Sequence, residues 1–259
     1  MYIYGSECTL TLIRDDRSNA IPYSLETLRE ERTDVPLDPL VGYILPLSMI
    51  PVGAAGVKVI GCCVTRLCLS SLKPLASLMT DGYAQPFTLH LNRIAECRVY
   101  TSLRLTGWEL RASRDESAYL RFDVEGREAA DQDHSTGDSS WVQSQTLTFY
   151  DGDISVLGEP SCNIYRFSLT RLYGDAISTI LQLHYPLKEG DVLNNARELN
   201  DVAITLGDSL RVRMTNAVLL SFTAKTDNAE EILVVRRYRI DGICLVEVRA
   251  EDGVWGAPR

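Results

Sequence analysis

The chain has 259 residues, of which 45% are hydrophobic and 24% charged, with only 17 Gly and 10 Pro. Such a composition excludes a fibrous, low-complexity or disordered chain and suffices for one large β domain or two small ones with real cores. The formal net charge of -9 argues against a broad phosphate-binding surface; it suits plain solubility, and equally a channel wall along which DNA slides without sticking.

In chain order, the opening Met1-Tyr2-Ile3-Tyr4-Gly5-Ser6-Glu7 lacks the basic and apolar regions of a secretory signal, so assembly in a cytoplasm is expected. Ser24 to Arg32 predicts a weak helix, and Thr33 to Val41, with Pro36 and Pro39, an extended linker. The most apolar stretch, Val41 to Val64, is interrupted by Pro46, Pro51, Gly53, Gly56 and Gly61; it predicts short strands and turns and cannot span a bilayer as one helix. Ser70 or Ser71 is placed to cap a short helix through Leu78 and Met79, with Pro74 in its first turn and Gly82 just beyond its end.

Alternation with period two then dominates. Leu103 and Leu105 alternate within Ser102 to Thr106, and Leu120, Phe122 and Val124 within Tyr119 to Glu125. Leu147 and Phe149, then Tyr165, Phe167 and Leu169, and finally Leu210, Val212 and Met214 repeat the pattern. Each predicts a half-buried strand, and turns such as Asp151-Gly152 connect antiparallel neighbours. Arg127 to Ser140 is acidic, lacks an apolar period and predicts a loop. Asn194 to Leu199 predicts a second short helix. The expected fold is mainly β, an antiparallel β-sandwich or split barrel with one or two short helices.

Chemistry is scarce by comparison. Seven cysteines, Cys8, Cys62, Cys63, Cys68, Cys97, Cys162 and Cys244, lie in apolar surroundings and read as buried, reduced thiols. No second ligand pair follows Cys62-Cys63 at zinc spacing, and His90, His134 and His184 stand apart. Asp131 to Asp138 lacks the ordered spacing and terminal Glu of a calcium loop. Gly53-Ala54-Ala55-Gly56 lacks the Lys-Ser/Thr of a phosphate-binding loop. Asp151 with Asp153, and Glu230 with Glu231, read as turn and surface carboxylates. No catalytic, cofactor-binding or metal-ligating residue is therefore assigned, no cofactor is expected, and the chain reads as something other than an enzyme.

Three stretches resemble the tail tube proteins of long-tailed phages. They are Gly56 to Val64 leading into the helix Leu72 to Met79; Cys97 to Gly107 paired with Tyr119 to Arg127, a hairpin ending on Gly126-Arg127; and Ser209 to Val218, a late strand running into an Asn216-Ala217 turn. The resemblance implies a structural subunit that self-associates into stacked rings forming a tube, contacts other tail proteins and passes DNA without reading its sequence. It places the protein in a virion tail assembled in a bacterial host's cytoplasm. Residues 1–130 and 141–259 would be two tube-like lobes around the acidic loop 127–140. If the lobes are duplicates, three subunits form a ring; otherwise six do. Arg127 to Ser140 and Val41 to Gly61 depart from the pattern as joining arms or decorations. The alternative is a soluble β-sandwich module binding carbohydrate or protein, with Trp108, Trp141 and Trp255 as stacking platforms.

Overall fold

A computed structural model of the chain describes residues 9–15, 17–32, 57–92, 97–114, 116–126, 128–131, 144–149, 153–156, 159–160, 164–186, 198–226 and 232–258. In chain order the first half holds β1 (Thr9–Arg14), β2 (Arg17–Ile21), β3 (Tyr23–Glu26), β4 (Arg29–Arg32), β5 (Val57–Arg66), the helix α1 (Leu69–Asp81), β6 (Phe87–Asn92), β7 (Cys97–Ser113), β8 (Tyr119–Gly126) and β9 (Glu128–Asp131). The second half holds β10 (Asp153–Val156), β11 (Glu159–Pro160), β12 (Arg166–Tyr173), β13 (Ile177–Pro186), β14 (Glu198–Leu206), β15 (Leu210–Thr226), β16 (Ile232–Ile240), β17 (Cys244–Arg249) and β18 (Trp255–Gly256). The fold is mainly β and sandwich-like, with antiparallel pairing and no closed barrel.

The ladders form three runs. A large sheet passes from β3 and β4 through β5, β8, β7, β12, β13 and β16 to the C-terminal half of β15. A second run joins β2, β1, β6, the N-terminal half of β7, and β9. A third joins β18, β17, the N-terminal half of β15, β14, β10 and β11. The 17-residue strands β7 and β15 thus each serve two runs. Both bend at a left-handed residue, Ser102 (φ 55) in β7 and Asn216 (φ 54) in β15. In β7 the extra residue at the bend sharpens the local twist and turns the strand from one sheet into another.

Alternation determines which face is buried. In β8, Leu120, Phe122 and Val124 point inward, and in β12 Phe167 and Leu169 do so, while their neighbours stay at least partly accessible. Trp108 is buried on the same inner face, where its Nε1 donates to Met79 O (3.1 Å) and Tyr173 Oη (3.0 Å), and Tyr173 Oη donates to the same carbonyl (3.1 Å). The last turn of α1 is thereby fixed beneath the large sheet. Gly82 ends the helix and its carbonyl accepts from Leu105 N at 2.9 Å. On the other side, Arg14 of β1 reaches Asp81 (2.5 Å) and Gln85 (2.7 Å), a cation placed at the negative end of the helix dipole. One hydrophobic cluster runs through both halves of the chain.

Several expectations change. Ser24 to Arg32 is not helical but forms β3 and β4: Leu28 is buried while Leu25 is exposed, so the segment lacks an apolar stripe for a helix to bury, and Thr27 N instead donates to Cys62 O (2.9 Å) of β5. Within 127–140, residues Glu128–Asp131 form β9 against β7 rather than a loop, because β7 has an open flank there; 132–140 lie outside the described residues. Glu198 and Leu199 open β14 instead of ending a helix, paired to Val218 and Ala217; 194–197 lie outside the described residues. There is no turn at Asn216-Ala217, since Asn tolerates the left-handed region within a continuing strand. Gln145 to Phe149 buries Leu147 and Phe149 as expected but makes only the isolated bridges Cys68–Thr146 and Ser117–Thr148.

The helix itself is where the sequence places it. Its N-cap is Cys68 rather than Ser70 or Ser71, with no side-chain cap, and Ser71 Oγ donates back to Cys68 O at 3.3 Å. Pro74 lies beyond the first turn, so the Ser70 carbonyl lacks its usual intrahelical donor. The linker at 33–41, the stretch 41–56 and the Asp151-Gly152 turn lie outside the described residues.

Candidate functional site

The feature most suited to a function is the rim of the large sheet. Residues Leu219 to Thr226 of β15 pair with β16 on one side, and among the described residues no strand pairs with the other. A row of backbone donors and acceptors is therefore available along that edge, which is a template for another chain. Natural edges are usually blunted by charge; this one has Lys225 near its end, and before it carries Leu220 (48% exposed) and Phe222 (49% exposed). Leu220 is the extra residue of a bulge, lying between the pairs Leu219–Tyr238 and Ser221–Arg237.

Phe222 owes its place to its partner across the ladder. It pairs with Arg236, whose guanidinium carbon lies 5.3 Å from the Phe222 ring centre and 5.7 Å from that of Tyr185. Arg236 is itself buried, so a cation held between two rings supports Phe222 from the protein side while its far side remains accessible. The opposite rim differs. There β3 and β4 are two four-residue strands separated by Thr27 and Leu28, and β4 reads Arg29-Glu30-Glu31-Arg32, a short and charged edge of the kind that resists indiscriminate pairing. The large sheet thus has one apolar rim and one charged rim.

The residues weighed in the sequence are not gathered into a site. Trp108 is core; Trp255 lies under Arg211, whose guanidinium carbon is 4.5 Å from its ring, and Arg211 Nε donates to Glu247 at 2.7 Å. Trp141 lies outside the described residues. Cys62, Cys63, Cys68, Cys97 and Cys244 are free thiols. Burial pushes Cys63 well above the ordinary thiol range, with Glu26, Cys62 and Asp123 adding to it, and burial raises Cys244 against the opposing pull of Arg171. Both are thereby kept protonated and unreactive at neutral pH. His90, on β6, and His184, on β13, are both lowered, each chiefly by burial, with Arg166 contributing at His184. Cys8, Cys162, His134, Asp151, Glu230 and Glu231 lie outside the described residues. Among the described residues no group of three His, Cys, Asp or Glu side chains could hold a metal ion, and no helix is long and apolar enough to cross a membrane. A cleft of about 270 Å³ lies beside β17, between Lys73 and the Val254–Pro258 segment, and Lys73, Arg249 and Asp252 are its charged lining residues.

Sequence patterning misses the rim residues. Leu219-Leu220-Ser221-Phe222 breaks strict alternation because of the bulge, and nothing local distinguishes an edge strand from a central one. No protein-family model matches the chain, and no curated protein matches it.

Proposed function

We propose that the chain is a self-assembling structural subunit whose copies join rim to rim into rings, and that these rings stack as the tail tube of a phage or phage-like particle, a conduit for DNA. The observation that carries this reading is the asymmetric large sheet, with an apolar edge at Leu219 to Thr226 that is unpaired among the described residues and a short charged edge at β3 and β4. Two unlike rims make a head-to-tail contact, which closes into a ring when the rotation per subunit divides a full turn. Backbone pairing supplies the joint, and Leu220 with Phe222 supplies apolar burial across it.

On this reading the protein carries no catalytic role, its partners are copies of itself and other tail proteins, and it resides in the virion tail after assembly in a bacterial cytoplasm. Three subunits complete a ring if residues 1–130 and 141–259 are duplicate lobes, and six if they are not. Negative-stain electron microscopy of concentrated protein, beside its mass in solution, tests the reading. Rings or hollow rods are expected, with a rotational symmetry that decides between three and six. A monomer at every salt and protein concentration would overturn it and favour a binding module.

A further inference from the structure

The outer face of the large sheet has no layer of strand or helix over it among the described residues, and its chemistry opposes that of the chain. One transverse row crosses seven strands, each member directly opposite the next: Arg66 on β5, Tyr119 on β8, Arg111 on β7, Ser168 on β12, Gln182 on β13, Arg237 on β16 and Ser221 on β15. The row holds three arginines and no carboxylate. The adjacent row adds Arg166 opposite His184, again with no carboxylate. Arg66 and Arg111 flank the Tyr119 ring at 5.9 and 5.5 Å, which fixes their guanidinium groups on the surface. All four arginines are exposed. Only on the row to the other side do carboxylates return, where Glu109 stands opposite Arg121 and Arg239 is bound by Asp241 (2.5 Å).

With a net charge of -9 and a cationic outer face, the chain carries its acidic excess elsewhere. One such acidic run in the sequence is Glu128 to Asp138, which has four carboxylates, Glu128, Asp131, Asp133 and Asp138, and no Lys or Arg. We propose that the Arg66–Arg111–Arg237 row docks the acidic surface of a second copy of this chain, giving the assembly a second, electrostatic contact distinct from the β15 rim. The inference rests on the self-assembly reading above. Strands spaced about 4.8 Å apart place Arg66 and Arg237 roughly 24 Å from one another. Charge complementarity favours a second copy over nucleic acid, because the cationic row has its acidic counterpart on the same chain. A conduit for DNA would also turn such a face away from the lumen.

The test compares assembly of the full chain and its variants by sedimentation and electron microscopy at low and high ionic strength. Arg111→Glu/Arg237→Glu and the milder Arg111→Gln/Arg237→Gln should each raise the concentration needed for assembly by about tenfold or more, with the helix and sheet signals unchanged. Asp133→Lys/Asp138→Lys should do the same, and mixing it with the Glu variant should restore assembly. Phe222→Asp separates this contact from the rim joint. If Phe222→Asp blocks assembly while both arginine variants assemble like the parent chain, the docking inference fails and the proposed function stands. If the parent chain never assembles, both fail. Tight binding of a short DNA duplex, lost in the Gln variant whose assembly is unaltered, would likewise overturn the inference and assign the face to nucleic acid.

Discussion

Single side chains in this protein matter mostly through what lies directly across the ladder from them. His184 illustrates this: it faces Arg166 on one side and Val235 on the other, and its Nε2 lies 2.8 Å from Gln182 Nε2. Burial and then the Arg166 charge hold its pKa below the ordinary imidazole range. A lowered imidazole contributes stability that is present above the unfolded value, near 6.5, and lost as pH falls through that region. In a proton-NMR titration the midpoint of His184 should therefore lie below that of a free histidine. Arg166→Gln should move its midpoint upward without restoring the free-histidine value, since burial remains. A midpoint indifferent to residue 166 would contradict the register of β12 and β13. Of this neighbourhood, the sequence shows Tyr165, Phe167 and Leu169 as an alternating inward set, and Phe167 and Leu169 are buried as that pattern requires. It does not show which strand brings His184 against Arg166, because partner choice among antiparallel strands leaves no local mark.

At the scale of elements, the two long strands decide the architecture. β7 leaves β6 and joins β12 by way of Thr101 and Ser102, two residues set against the single Thr88 between the pairs Phe87–Leu103 and Leu89–Tyr100. Ser102 sits at φ 55 and is exposed, a conformation that costs a residue with a Cβ about 1 kcal/mol or more. Ser102→Gly should therefore stabilise the chain by about 0.5–1 kcal/mol in urea unfolding, and Ser102→Val should destabilise it by about 1–2 kcal/mol. Equal stability of the three would show that the bend is not held in the left-handed region. The bends also explain what was legible. Leu103 and Leu105 on one side of Ser102, and Leu210 to Met214 before Asn216, alternate cleanly and give their strands away. The continuation of β15 past Asn216 does not, because Asn-Ala has the composition of a turn. Ser24 to Arg32 misleads for a related reason: its charged residues favour helix locally, whereas the neighbouring β5 offers a ladder that local propensity cannot register.

For the whole molecule, the sandwich-like fold follows from the many alternating segments and the scarcity of helix signals. The candidate site was not legible, because it is made of a side of β15 left unpaired among the described residues and of rows assembled from seven strands. Those features exist only once the strands are ordered. Two surfaces are proposed as contacts: an apolar sheet rim suited to backbone pairing, and a cationic face suited to an acidic neighbour. The central claim is that the rim at Leu219 to Thr226 is the joint between copies. Amide hydrogen exchange followed by mass spectrometry, comparing dilute with assembled protein, tests it most directly. The account predicts that peptides covering 219–226 exchange quickly in dilute protein and become strongly protected on assembly, together with those covering β3 and β4. Assembly that leaves exchange at 219–226 unchanged, with protection confined to other surfaces, would contradict it.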